Sequence, residues 1–306
     1  MDLIQQNYPK NVHLQVATFP LTQEDKDNLY KEFHGMLFLQ SDLQSLLSQS
    51  SYYKIRNEVF TLNVIPHPKI TPFKIKKIMR RLMTLQKIFK LTTPMVIWLV
   101  PTHQKRYFPK KGALIDLYHI NGGYTYPSTH TIYIYRYEEY PKVLLHEILH
   151  HSYLRTKWSK EILSKLYNVL HIHPNTDIRP EEAIIEVWAM YYHVLFVAYE
   201  KHLNEKDLLL EELQWSLSQT KRLLDYHRQY FPNGWQEHTA GYSYIYLKTC
   251  LLFYWTAFTK LEIPYTDQTL VDFILTHINK KSFQNAILKS PVLNTKSFQM
   301  TRFGNL

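Results

Sequence analysis

Two histidines set four residues apart in an apolar run constrain this chain more than any other feature. The run is Lys142 to Tyr153, and it contains His146-Glu147-Ile148-Leu149-His150. Val143, Leu144, Leu145, Ile148 and Leu149 around the histidines predict a helix buried on one face. Residues four apart share a helix face, so both rings can offer a nitrogen to one metal ion. Glu147 then stands beside the open coordination position. In such an arrangement the ion lowers the pKa of a bound water and the carboxylate takes its proton. With 16 histidines and 26 acidic residues in 306 positions, chance produces the motif in at most about one such chain in fifteen. The apolar setting therefore carries weight that the motif alone does not.

Composition narrows the class. A chain that is 45% hydrophobic and 15% aromatic can build a sizeable core, which excludes a disordered protein. The single cysteine, Cys250, cannot form an intrachain disulfide and is expected as inert core, which suggests a reducing, intracellular and cytoplasmic setting. Residues 1–9 lack a basic start followed by an apolar run, so no secretory signal is expected. The longest apolar stretches, Met95 to Val100 and Leu251 to Phe258, fall well below the roughly 18 residues of a membrane span, so a soluble chain is expected. The net charge of +10 invites a nucleic-acid partner, with Lys74-Ile75-Lys76-Lys77-Ile78-Met79-Arg80-Arg81 as the densest basic segment. Ile75, Ile78, Met79, Leu82 and Phe89 recur there at helical spacing, which favours an amphipathic helix with a solvated basic side over a nucleic-acid surface.

Along the chain the pattern predicts strands at Val12 to Phe19 and Val59 to Ile65, with helices at Glu24 to Phe38 and Asp42 to Ser48. Pro66-His67-Pro68 and Thr71-Pro72 then break regular structure. The expected organisation is an N-terminal accessory segment (1–70), a main domain (71–280) and a tail (281–306), with the break at 70 either separating domains or punctuating one fold. Downstream the pattern gives a helix from Pro72 to Lys90 and strands at Met95 to Val100, Ala113 to Ile120 and Thr131 to Tyr135. Helices follow at Ser159 to Leu170, Pro180 to His202, Glu205 to Tyr230, Tyr242 to Leu261 and Thr269 to Ile278.

This order of backing helix, small mixed sheet, motif helix and helical second half resembles the zincin metallopeptidases, an α+β fold. The resemblance implies a zinc cofactor, a peptide or protein substrate, and an edge strand that holds substrate by backbone hydrogen bonds; Gly123 to Pro127 matches that strand by position. Tyr153 stands where a metzincin has glycine, and the lone Cys250 lies downstream rather than upstream as in peptide deformylase. Pro180-Glu181-Glu182-Ala183-Ile184-Ile185-Glu186 instead resembles the glutamate helix of gluzincins, with Pro180 in its first turn. That likeness implies Glu182 as third ligand, and Glu186 as the acid that hydrogen-bonds His146, with the two roles open to exchange. Tyr135 to Val143, Glu186-Val187-Trp188-Ala189 and Ser243 to Lys248 are also similar to a poorly characterised group of metallopeptidase-like proteins encoded by large DNA viruses, which implies location in a virus particle as an alternative.

The expected function is zinc-dependent peptide hydrolysis with Glu147 as general base. Tyr244 and His238 lead the candidates for stabilising the oxyanion, ahead of Tyr242, Tyr246, His171 and His173. His151 points about 100 degrees away from His150 and is not expected to bind metal. The rival readings are an inactive zincin-like scaffold for assembly, against which the intact Glu147 argues, and a basic nucleic-acid-associated protein.

Overall fold

The structure is a computed structural model and describes residues 2–10, 12–154, 158–176, 178–293, 295 and 297–304. It is a mixed α+β fold around one open six-stranded sheet, in the order β1-β2-β3-β4-β6-β5. The N-terminal part contributes α1 (Asp2–Asn7), β1 (Ala17–Pro20), α2 (Gln23–Phe33), α3 (Gln40–Leu47), β2 (Ser51–Arg56) and β3 (Phe60–Val64). Next come α4 (Pro72–Phe89), β4 (Met95–Thr102), the short α5 (Leu117–Ile120), β5 (Gly123–Tyr126), β6 (Thr131–Arg136) and α6 (Tyr140–Leu149). The second half is helical: α7 (Lys160–Val169), α8 (Pro180–Lys201), α9 (Glu205–Tyr230), a π-helical segment (Tyr242–Leu247), α10 (Lys248–Phe253), α11 (Trp255–Phe258), α12 (Asp267–Ile278) and α13 (Lys281–Lys289). Among the described residues no helix is long and apolar enough to cross a membrane.

Strand alternation explains the layering. Ile97 and Leu99 of β4 and Ile132 and Ile134 of β6 face the large core that α4, α6 and α8 complete, while Trp98, Val100, Tyr133 and Tyr135 face a smaller core under α2 and α3. β3 pairs in parallel with β4 and β4 with β6, whereas β1, β2 and β5 pair antiparallel with their neighbours. The sheet is therefore continuous across residue 70, and the Pro66-His67-Pro68 break lies between two of its neighbouring strands.

Several sequence expectations need correction. Strand structure begins at Ala17 rather than Val12, because β2, which the hydrophobic pattern did not reveal, offers ladder partners only to Ala17–Pro20. The helix expected to reach Phe38 ends at Phe33. Ala113 to Ile120 is not a strand: the Asp116 carboxylate accepts from the Leu117 N–H and starts a helical turn instead. Arg81 does not lie on a solvated face; it is 3% exposed and paired with Glu200. Lys281–Lys289 form α13, and beyond it Phe298 and Thr301 are fully buried.

Helix α8 is apolar on nearly every side, from Ala183 to Ala198, and its place is the centre of the helical half. It packs against α6, the π-helical segment, α9 and α10. That packing brings its two buried acids, Glu182 and Glu186, to the motif histidines.

Candidate metal centre

Every residue of α6 is buried. The helix starts at Glu139, whose left-handed φ of 59° turns the chain out of β6, and His150 caps its C-terminus in helical conformation. The four-residue spacing therefore survives to the end of the helix. Nε2 of His146 and Nε2 of His150 lie 3.1 Å apart. Oε2 of Glu182 lies 3.2 Å from the first and 3.4 Å from the second.

These distances test whether a metal fits. A tetrahedral zinc ion with bonds of about 2.0–2.1 Å separates its ligand atoms by about 3.3–3.4 Å. The three atoms form a triangle close to that size, and two imidazoles with one carboxylate are a donor set that zinc accepts. His151 turns away: its Nε2 contacts the Thr125 hydroxyl at 2.7 Å.

Glu186 does a different job from Glu182. Its Oε2 accepts from Nδ1 of His146 at 2.9 Å, and its Oε1 meets the ammonium of Lys142. With the proton on Nδ1, the Nε2 lone pair of His146 faces Glu182 and His150. Burial alone would lower the His146 pKa, but hydrogen bonds to Glu182 and Glu186 outweigh it and push the value up to about 10 in the metal-free protein. Burial would raise both carboxylates. The histidines nonetheless hold Glu182 well below its ordinary value, and Lys142 and His146 hold Glu186 at about 2.

Glu147 lies beside this triangle, 6% exposed. Burial raises its pKa against the pull of the two histidines, so it holds a proton more tightly than a surface glutamate. Tyr244 comes from the π-helical segment, a distortion that often accompanies functional sites. Its ring centroid is 5.5 Å from that of His146, and its hydroxyl interacts with Glu182. His238 is not brought here: it is 62% exposed and faces Asp116 at 3.6 Å. His171 lines a separate cavity, and the backbone N–H of His173 bonds to Trp235 in another part of the fold. Cys250 is buried in the helical core, where burial pushes its thiol up to about 12.

A cleft of about 350 Å³ opens over the triangle, walled on one side by Gly123, Tyr124 and Thr125 of β5 and on the other by His150, Glu182 and Tyr244. A second cavity of about 30 Å³ lies between Lys142, Glu186, Arg106 and Met300, and shares His146 and Glu147 as walls. That is room for about one water molecule. β5 is held against α6 by glycines: a Cβ on Gly123 would come within 2.7 Å of the Tyr133 carbonyl and 3.1 Å of Val143.

Two buried arginines set the entry to β5, and nothing in the local sequence pattern marked them. Arg136 donates to the carbonyls of Asn121, Lys105 and Tyr118, and Arg106 donates to that of Ile120 and to Glu139. Burial, then the neighbouring Arg106, lowers the Arg136 pKa to about 10. Glu139 also accepts the backbone N–H groups of Met300 and Thr301, tying the C-terminal segment to the start of α6. Lys142 had a legible signal, as a lone cation on the His146 face of an apolar run. The chain matches no family model, no curated protein and no solved structure.

Proposed function

We propose that this chain is a zinc-dependent hydrolase of the zincin type that cleaves peptide bonds. The observation that carries the reading is the triangle of His146 Nε2, His150 Nε2 and Glu182 Oε2, with edges of 3.1, 3.2 and 3.4 Å, beside the buried Glu147. His146, His150 and Glu182 would hold the ion. Zinc supplies a Lewis acid there, which brings the pKa of water down toward neutrality and polarises a carbonyl.

The protein groups do the rest. Glu147 takes the proton of the attacking water and returns it to the leaving amine, a task its raised proton affinity suits. Tyr244, kept protonated by burial and by its acidic neighbours, donates to the oxygen that becomes negative in the transition state. Glu186 keeps the His146 ring turned toward the ion. β5 ends the sheet, so its unpaired edge beside the cleft can add an extended peptide as a further strand. That edge, with the gluzincin resemblance, favours peptide over other substrates.

Metal analysis of the purified protein and turnover of a mixed peptide library test the reading. Wild type should carry one zinc per chain. Glu147→Gln should retain zinc and lose turnover by about 10²–10⁴-fold. Undiminished turnover in Glu147→Gln would overturn the chemistry, and stoichiometric zinc without turnover in wild type would point to a scaffold.

A further inference from the structure

Lys142 lies one helical turn before His146 on α6 and is 3% exposed. A lysine so buried needs a partner, and its ammonium meets Oε1 of Glu186. The other oxygen of that carboxylate accepts from Nδ1 of His146 at 2.9 Å. Glu186 is itself 1% exposed, so bulk solvent does not reach its carboxylate. The ammonium takes one, and the other is left for the imidazole. Lys248, also buried, directs its ammonium at the Ser216 hydroxyl at 2.7 Å rather than at Glu186.

We propose that Lys142 is a positioning residue for the metal: by holding Oε1 of Glu186 it fixes the bond from Nδ1 of His146 to Oε2, and so aims the His146 Nε2 lone pair at the ion. The inference rests on the zinc reading above. Charge counting supports it. Glu147 and Glu182 together balance a divalent cation, which leaves Glu186 to be balanced by the protein, and Lys142 supplies that charge where the dielectric is low. Without the ammonium, Oε1 loses the donor that fixes the carboxylate, and the remaining charge of Lys248 acts without a hydrogen bond to hold its orientation. Lys142 is not among the three donor residues and does not line the cleft over them. Its hydrogen-bonded route to the donor triangle runs through Glu186.

A double-mutant cycle on zinc affinity tests this, read by competition with a chromophoric chelator on the full chain. Lys142→Met should weaken zinc binding at least about tenfold, within the range for groups that orient a ligand from behind. In a Glu186→Gln background the same change should have little further effect, because the carboxylate it acts through is already gone. Thermal unfolding of each metal-free variant separates lost folding from lost metal. If Lys142→Met alone does not fold, Lys142→Gln takes its place in both arms of the cycle, since an amide keeps the position polar without the ammonium. A folded Lys142→Met with wild-type affinity overturns the inference, as does a loss of tenfold or more that persists in the Glu186→Gln background. Wild-type protein that takes up no zinc overturns the underlying reading instead.

Discussion

Helix α8 holds buried carboxylates at both ends, and their partners differ in kind. At the C-terminal end Glu200 accepts from Nε of Arg81 at 2.9 Å, from Lys77 at 2.8 Å and from the Tyr8 hydroxyl at 3.1 Å. Arg81 keeps its charge at any relevant pH, and with Lys77 it holds the Glu200 pKa below its ordinary value in spite of burial. At the N-terminal end Glu182 meets two imidazole nitrogens at 3.2 and 3.4 Å. Those rings carry a charge only when protonated. A carboxylate clamped by a guanidinium is already neutralised; one that faces two neutral imidazoles is complete only when a cation, either protons or a metal, joins it. The same helix thus carries a structural ion pair at one end and a candidate metal site at the other.

Exchanging the two ends in effect is the strongest way to break this comparison. Glu182→Ala should weaken zinc binding by more than about 100-fold, because two imidazoles leave an incomplete site. Glu200→Ala should leave zinc affinity unchanged and instead destabilise the fold by about 3–5 kcal/mol, by removing the carboxylate that pairs with the buried Arg81. Chelator competition and urea unfolding read the two effects, and equal zinc loss in both variants would erase the distinction.

A smaller effect separates the two acids of the N-terminal end. Glu186→Ala should cost about 10–100-fold in zinc affinity, the range for a group that orients a ligand without touching the ion. If Glu186→Ala lost more zinc than Glu182→Ala, their roles would have to be exchanged.

A graded effect is in pH. In the metal-free protein the His146 pKa is raised to about 10, against about 6.5 when unfolded. Its stabilisation is complete below pH 6.5 and is lost as pH rises toward 10, with a slope of at most about 1.4 kcal/mol per pH unit. Glu200 is shifted the other way, so its contribution is present above about pH 4.3 and fades as pH falls through its folded value. Urea unfolding should show both limbs in metal-free protein. Zinc should abolish the alkaline limb by replacing the proton, and Glu200→Gln should remove its own share of the acid limb, to which Glu182 and Glu186 also contribute, and leave the alkaline limb unchanged. A metal-free chain with constant stability from pH 7 to 10 would contradict the cluster's arrangement.

The site was more legible than its surroundings. His146, Glu147 and His150 could be read together because helical periodicity is a local property, set by residues within one turn of each other. Pro180 and the apolar run after it announced α8 in the same way. The edge strand at Gly123–Tyr126 was expected only through the zincin resemblance and its position, as Gly123 to Pro127. Ala113 to Ile120 misled because its apolar residues suit a strand, while the deciding interaction is a cap from Asp116. β2 was missed because it needs β1 and β3 on either side to be a strand at all.

By itself, then, the sequence determined the long helices α4, α8 and α9, the pairing of two histidines on one face, and the supply of acids on a second helix. Only the tertiary structure decided which acid meets which nitrogen, that Lys142 backs Glu186, that Tyr244 rather than His238 reaches the cluster, and that the C-terminal segment closes on Glu139. The physical reason is range. Periodicity and capping act between residues a few positions apart, whereas a buried charge is satisfied by whatever group the packing brings to it from any distance along the chain.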